Sequence, residues 1–345
     1  MKIRAAILTL TVAVCAATIG RAAPGAAPAT AAATIAAPAT TDWRVSGHVH
    51  EGDRNYHYVI TFARLVLPGA GNAATHANAW RARDLFIAGF ELIADDPQVF
   101  VSEQRYARPA VAEAAFDRAP LDLRVDAWRL HARTTGNETI LTVHGDRVDF
   151  DLILNGRLMF VPESAHHARA TGLRTSGTIV LDGRPHDVHG LSAIERIADD
   201  GSSTRGADWS WFDLQLDDGR YVAIDERRDA NDRVRSIDGL VHAADGRVSR
   251  LSAANADVSP WGRCGWSSPQ TGASYPTVWD IALPDERVTL VLQATVREAE
   301  VVPQIGGPSF WEGAADVIDS ATDARIGWAI VTMHGIRAHA LPCGG

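Results

Sequence analysis

The chain has 345 residues, with 42 Asp and Glu against 33 Lys and Arg and a formal net charge of −9. An acidic chain is poorly matched to nucleic acid or to an anionic membrane surface, and neither is an expected partner. Apolar residues make up 46% of it, so a core is within reach, and the length beyond Thr41 suits two domains of ordinary size.

Lys2 and Arg4 precede the apolar run Ala5–Ile19, and small residues follow at Gly20 and Ala22. This is the layout of a secretory signal peptide over residues 1–22, which predicts a periplasmic or secreted protein. The run is shorter than the roughly 20 residues a spanning helix needs, and no later segment is long and charge-free, so no integral membrane anchor is expected. Residues 23–41 are almost all Ala, Pro and Thr, a composition that buries no core and reads as a flexible stem. Cleavage removes Cys15 and leaves Cys264 and Cys343. In an oxidising compartment these two permit one disulfide tying the tail to the body; two separate thiols are the alternative.

Folding starts near Asp42. Trp43–His50 and Tyr56–Phe62 alternate as strands joined through Glu51-Gly52-Asp53, a hairpin. Gly69-Ala-Gly-Asn-Ala-Ala74 superficially fits a dinucleotide fingerprint, but the strand before it belongs to a hairpin and no second βαβ unit follows, so no nucleotide cofactor is expected. Further strands are read at Trp80–Glu91 and Gln98–Tyr106, with a short helix around Arg108–Phe116. From Leu121 to a turn at Asn155-Gly156 the pattern is a meander, and Pro162–Gly172, with its His166-His167 pair, reads as a connection. The second half repeats the rhythm, with Asp-Gly turns starting at Asp182, Asp200, Asp218, Asp238 and Asp245. Long periodic helices are absent from the pattern. The predicted fold is all-β, with two tandem antiparallel β-barrels packed side by side over residues 42–198 and 205–340; closing each sheet removes its exposed edges.

The richest stretch is Gly206–Tyr221. Strand alternation puts Phe212, Leu214 and Leu216 on one apolar face and Trp209, Trp211, Asp213 and Gln215 on the other. A two-residue turn at Asp218-Gly219 would set Trp211 opposite Glu226, Trp209 opposite Arg228 and Tyr221 opposite Leu216. Two indoles beside a carboxylate suit a ligand; the same face also suits the packed seam between two domains.

This stretch, Trp209-Ser-Trp-Phe-Asp-Leu-Gln-Leu-Asp-Asp-Gly219, resembles the exported lipocalin-like family of carotenoid 1,2-hydratases, AttH-like proteins, predicted secreted hydrolases and fungal Diels-Alderases. Ser267-Ser-Pro-Gln-Thr-Gly-Ala-Ser-Tyr-Pro-Thr-Val-Trp279, Glu298-Ala-Glu300 and Phe310-Trp-Glu-Gly313 carry the resemblance onward, in order, over nearly the whole mature chain. It implies two lipocalin-like barrels packed side by side, with an apolar pocket. The residues themselves suggest a site for a small hydrophobic or amphipathic molecule, lined by Trp209, Trp211, Trp279 and Trp311. After Val188-His-Gly-Leu191 the family continues Ala-Trp-x-Asp-His-Glu-Trp; here the carboxylate survives as Glu195, followed by Arg196, while both Trp and the His are replaced.

Hydration of an isolated alkene needs an acid kept protonated by an apolar setting and an aromatic face for the developing cation. Glu195 with Trp209 and Trp211 fits those parts, and Asp213 or Glu312 would deliver water. Arg196 is a further ligand-binding candidate, or pairs with Glu195. A cyclase, which works largely by folding its substrate into a reactive conformer, tolerates the altered motif better. A non-catalytic carrier of lipophilic molecules is the alternative. His48, His50 and His57 have metal-like spacing on one hairpin, but no third ligand is fixed, and no metal or other cofactor is expected. His186 and His189 fall on opposite strand faces. Gly265-Trp-Ser-Ser-Pro269 lacks the setting of a serine nucleophile. The protein is expected to be a monomer.

Overall fold

Runs such as Val148-Asp-Phe-Asp-Leu-Ile-Leu-Asn155 form strands because every second side chain is apolar: Val148, Phe150, Leu152 and Leu154 are buried, with polar neighbours turned outward. The computed structural model describes residues 40–66, 84–108, 114–118, 121–162, 167–199, 208–229, 233–261, 265–305 and 308–334. The expected leader and stem lie outside them, except for Thr40 and Thr41. Cys264, Cys343 and the Gly69–Ala74 motif lie outside them too. Among the described residues the one helical turn assigned is Pro284–Glu286, and no helix is long and apolar enough to cross a membrane.

The fold is all-β, with two large antiparallel sheets, one a nearly closed barrel and the other a half-barrel. The first contains β1 (Thr40–Glu51), β2 (Arg54–Val66), β3 (Asp84–Asp95), β4 (Gln98–Ala107), β5 (Ala114–Arg118), β6 (Leu121–Val125), β7 (Trp128–Ala132), β8 (Glu138–His144), β9 (Val148–Asn155), β10 (Val161–Pro162), β11 (His167–Leu181) and β12 (Arg184–Asp199). Its strand order is β4-β3-β2-β1-β12-β11-β9-β8-β7-β6-β5, with β10 beside β11. The second contains β13 (Asp208–Leu216), β14 (Tyr221–Arg228), β15 (Val234–His242), β16 (Val248–Ser252) and β17 (Asp257–Pro260). After the small β18 (Gly265–Ser267) and β19 (Ser274–Pro276) hairpin it continues through β20 (Val278–Leu283), β21 (Val288–Ala294), β22 (Glu300–Val301), β23 (Phe310–Asp319) and β24 (Arg325–His334). Its order is β16-β15-β14-β13-β24-β23-β21-β20-β17.

Each sheet wraps its own core. Trp43, Tyr58, Phe62, Phe90, Trp128 and Phe150 belong to the first, and Phe212, Leu214, Trp279, Trp311 and Met333 to the second. The outer faces of β1, β2, β3, β11 and β12 meet those of β13, β23 and β24 in a seam. At one end of it Val59 and Ile93 pack against Val296, Ala314, Trp328 and Ile330.

Local expectations are corrected at four places. Ala114–Arg118, expected as part of a helix, pairs with β6 as a strand. His167–Gly172, expected as a connection, belongs to β11, whose pairing with β12 is irregular between Ala170 and Leu173. Asp238-Gly239 is no turn: it lies inside β15, where a Cβ on Gly239 would come within 2.1 Å of the Ala223 carbonyl oxygen. Lastly, Asp182-Gly183 has both residues at positive φ, as a two-residue hairpin turn requires, whereas at Asp218-Gly219 only the glycine does, at 87°. The Leu216 N–H instead bonds the Arg220 carbonyl and the Gly219 N–H the Leu216 carbonyl, a longer loop with a glycine bulge. The pairing shifts by one residue: Trp211 faces Asp225, Trp209 faces Arg227 and Tyr221 faces Gln215.

Candidate functional site

Three adjacent strands of the first sheet place a charged row on the seam. Glu195 of β12 lies directly opposite Arg44 of β1 on one side and Arg169 of β11 on the other. From the second sheet, Asp213 of β13 reaches over this row, 2.5 Å from Arg169 Nη1 and 3.7 Å from Arg44 Nη1. Arg169 Nη2 is 3.0 Å from Glu195 Oε1. Arg44 Nη2 donates to Glu312 Oε1 at 2.9 Å and to Thr332 Oγ1 at 3.0 Å, and the Thr332 hydroxyl donates to Glu312 at 2.6 Å. Glu91 of β3 accepts from the Ser102 hydroxyl at 3.3 Å. All six charged residues are buried, Arg169 and Glu195 completely.

Trp211 supports the guanidiniums. Arg44 and Arg169 stand 5.0 and 5.5 Å from its ring centre, and His167 meets it edge-on at 4.8 Å. Arg169 also covers the Tyr221 ring at 4.9 Å, while His167 Nε2 is 3.6 Å from Glu195.

This setting separates the carboxyl groups. Burial would raise Glu195, but Arg169, the hydrogen-bonding His167 and Arg44 together outweigh it and hold it at about 2. Burial pushes Asp213 up to about 8; Arg169 and Arg44 oppose this, while the charge of Glu195 and a hydrogen bond with it add to the rise. Glu91 is likewise raised, by burial first and then by Glu312. The setting thus favours the protonated form of Asp213 and the ionised form of Glu195.

The structure separates the four tryptophans. Trp209 and Trp211 lie on the seam face of β13, and Trp209 stacks on His334 at 4.3 Å. Trp279 and Trp311 are 5.9 Å apart inside the second core. The Trp311 indole N–H donates to the Arg297 carbonyl at 2.8 Å, and a Cβ on Gly313 would meet its ring at 2.2 Å, so Trp311-Glu-Gly313 is a packing motif that also delivers Glu312 to the seam. Arg196 faces away from Glu195, opposite Trp43.

Ser268, in the stretch weighed as a nucleophile, is nearly buried; its hydroxyl donates to Glu300 and accepts the N–H groups of Gln270 and Thr271. Glu300 also accepts from Thr271 and Tyr275, so this group pins the β18–β19 hairpin. His48 Nδ1 and His57 Nδ1 are 3.3 Å apart, and His48 stacks on Trp328. Burial, then neighbouring charge, takes these histidines to about 2 and about 3. Among the described residues no group of three His, Cys, Asp or Glu is arranged to hold a metal. Four residues along β3 and β23 from Glu91 and Glu312, about 13 Å, a cleft of about 740 Å³ is lined by Asp95, Gln98, Phe100, Thr295, Glu298 and Asp316 among others.

Arg44, Glu91, Arg169 and Thr332 were not singled out from the sequence. Glu91 left a signal, a lone carboxylate in the apolar run Phe86–Ile93. Arg169 leaves none, because Pro162–Gly172 reads as a connection.

A barrel and a half-barrel pressed outer face to outer face around buried carboxyl and guanidinium groups define an all-β protein of two packed antiparallel sheets. Residues 36–336 match the AttH-like family, and the chain belongs to it. Among solved structures it is similar to a putative AttH of Nitrosomonas europaea, with 19% identity, a TM-score of 0.70 and coverage of 85% of this chain and 92% of that one. Kievitone hydratase of Nectria haematococca shares 12% identity at a TM-score of 0.62, covering 85% and 88%. CghA, solved with Sch210972, shares 10% at 0.52, covering 86% and 88%. These likenesses establish a shared fold. No curated protein sequence matches the chain.

Proposed function

We propose that this protein is an exported enzyme acting on a small, largely apolar, polyene- or terpenoid-like molecule, with Asp213 as its acid and the ionised Glu195 as the buried charge that helps keep Asp213 protonated. One observation carries the reading: Asp213 and Glu195 are both buried against Arg169, with Asp213 also 3.7 Å from Arg44, and this setting raises Asp213 to about 8 while holding Glu195 at about 2. Titratable pairs driven apart in this way suit acid–base work. His167, Trp209 and Trp211 keep partial exposure, so a substrate reaches Asp213 over these three side chains.

The electrostatics favour one chemistry over another. Trp211 already carries two guanidiniums on its ring, and an isolated carbocation forming beside them would be repelled. Negative charge developing on a substrate oxygen would be stabilised by Arg44, Arg169 and the Asp213 proton. Cyclisation of a carbonyl-bearing polyene, or hydration of an alkene conjugated to a carbonyl, fits better than hydration of an isolated alkene. The similarity to a hydratase and to the Diels-Alderase CghA supports this class.

The carrier reading finds less support. Tyr58, Phe62, Phe90 and Phe150 in the first core and Phe212, Leu292 and Trp311 in the second have no exposed surface, so no water-sized space adjoins them. The test is to incubate purified protein with an apolar extract of its own envelope and follow the products by liquid chromatography and mass spectrometry, with Asp213→Asn as control. A product heavier by one water identifies hydration, and a new isomer of unchanged mass identifies cyclisation. Identical profiles with the wild type and the variant would sink the proposal; a stoichiometric bound molecule that never changes would establish the carrier.

A further inference from the structure

Beyond the charged row, the seam face of the first sheet carries a row of histidines. His48 of β1 stands directly opposite His57 of β2, and His50 directly opposite His189 of β12. The His48 and His57 rings are 4.5 Å apart, and their Nδ1 atoms are 3.3 Å from each other. Trp328 of β24 closes over them, stacked on His48 at 5.1 Å and edge-on to His57 at 5.8 Å. His57 is 3% exposed. His48 is half-buried, and the row continues outward through His50, at 6.5 Å, to the exposed His189, 4.1 Å from His50.

Two imidazole nitrogens aimed at one point make either a hydrogen bond or a pair of ligands. Neither Nε2 has a protein partner among the described residues, so each ring can carry its proton there and turn its Nδ1 lone pair inward. His50 donates from Nδ1 to the Gly52 carbonyl at 3.2 Å, which leaves its Nε2 lone pair free along the way in. The surrounding charges select the ion. Arg325 acts on both rings and Asp95 on His48, but Asp95 is held by the backbone and side-chain N–H groups of Asn55. A dication would enter beside Arg325 with no anionic ligand. It would also find two protein donors, short of the three or four that zinc uses, and among the described residues no third His, Cys, Asp or Glu completes the set. A monovalent, polarisable ion brings half the charge, is satisfied by two neutral imidazoles, and gains from the Trp328 ring beside it.

We propose that His48 and His57 form a binding site for a monovalent copper or silver ion, held between the two Nδ1 atoms beneath Trp328. On binding, the proton shared by the two Nδ1 atoms moves to the Nε2 of its own ring and the metal takes its place. Both histidines stay neutral and one positive charge enters. A small outward turn of either ring makes the room. The site lies four residues along β1 from Arg44 and uses none of the residues assigned to the acid chemistry.

Silver nitrate in chloride-free buffer is the probe, titrated by isothermal calorimetry into the purified protein after any free thiol has been blocked with iodoacetamide. One silver ion per chain is expected, with a higher melting temperature and with zinc bound more weakly. His48→Gln and His57→Gln should each weaken silver binding by at least about a hundredfold, because even the outer partners of a metal ligand are worth about ten- to a hundredfold. Asp213→Asn should leave it unchanged. Should either histidine variant fail to fold, X-ray absorption of the wild type loaded with copper(I) decides the matter, with two nitrogen neighbours and no sulfur as the expected result. Absence of stoichiometric silver binding, zinc bound more tightly than silver, unchanged affinity in the folded variants, or sulfur ligation would overturn the proposal.

Discussion

Replacing Asp213 by Asn should remove a pH dependence of stability with a defined sign. The Asp213 carboxyl titrates at about 8 in the folded chain against 3.8 for an ordinary aspartate. Between those values the native state holds a proton that the unfolded state has lost. The slope of unfolding free energy against pH follows the protons bound in the unfolded state minus those in the native state, so it is negative here and stability falls as pH rises from about 4 to 8. About four pKa units at about 1.4 kcal/mol each set a ceiling on the order of 5 kcal/mol. Asn has no proton to lose, so its stability relative to wild type should improve across the window by up to that amount. Urea unfolding of both proteins at several pH values reads the difference directly. Glu91 and the buried histidines contribute to both curves and largely cancel. Parallel curves between pH 5 and 8 would refute the reasoning and show Asp213 to be ionised in the folded state.

Arg169→Met should leave Glu195 and Asp213 buried without their main counter-charge and destabilise by about 3–5 kcal/mol, whereas Arg133→Met, at the exposed pair with Glu138, should cost less than about 1 kcal/mol; urea midpoints compare them. Gly313→Ala drives a methyl into the Trp311 ring and should destabilise by about 1–3 kcal/mol, read as a lower melting temperature. His48 and His57 lie far below their usual 6.5, so the unfolded chain takes up protons that the folded chain refuses, and stability falls as pH drops below about 6.5. A double His→Gln variant should flatten the melting-temperature profile between pH 6.5 and 4, and an unchanged acid limb would show that the pair is not its cause.

The alternation of Phe212, Leu214 and Leu216 against Trp209, Trp211 and Asp213 was enough to assign the two faces of β13, because a strand allows only two. It could not say what the second face meets. Both readings drew on the same fact, large indoles beside a carboxylate, and the seam became visible only with Arg44 and Arg169 in place. The turn at Asp218-Gly219 shows the limit at short range: the dipeptide marks a reversal, but the number of residues closing it depends on the backbone angle of Asp218, and that choice moved Trp211 from Glu226 to Asp225. By residue type alone Trp279 and Trp311 cannot be told from the seam tryptophans. Position in the strand, with Gly313 making room for the Trp311 ring, places them in a core.

By itself the sequence determined the all-β class, the succession of two β units and the motifs that carry family membership, because these rest on alternation, turn residues and order along the chain. Only the tertiary structure decided the site. Arg44, Glu91, Arg169, Glu195, Asp213 and Glu312 come from six strands on two sheets. Their protonation states follow from mutual distance and from exclusion of water, which arise only when the two outer faces close on one another.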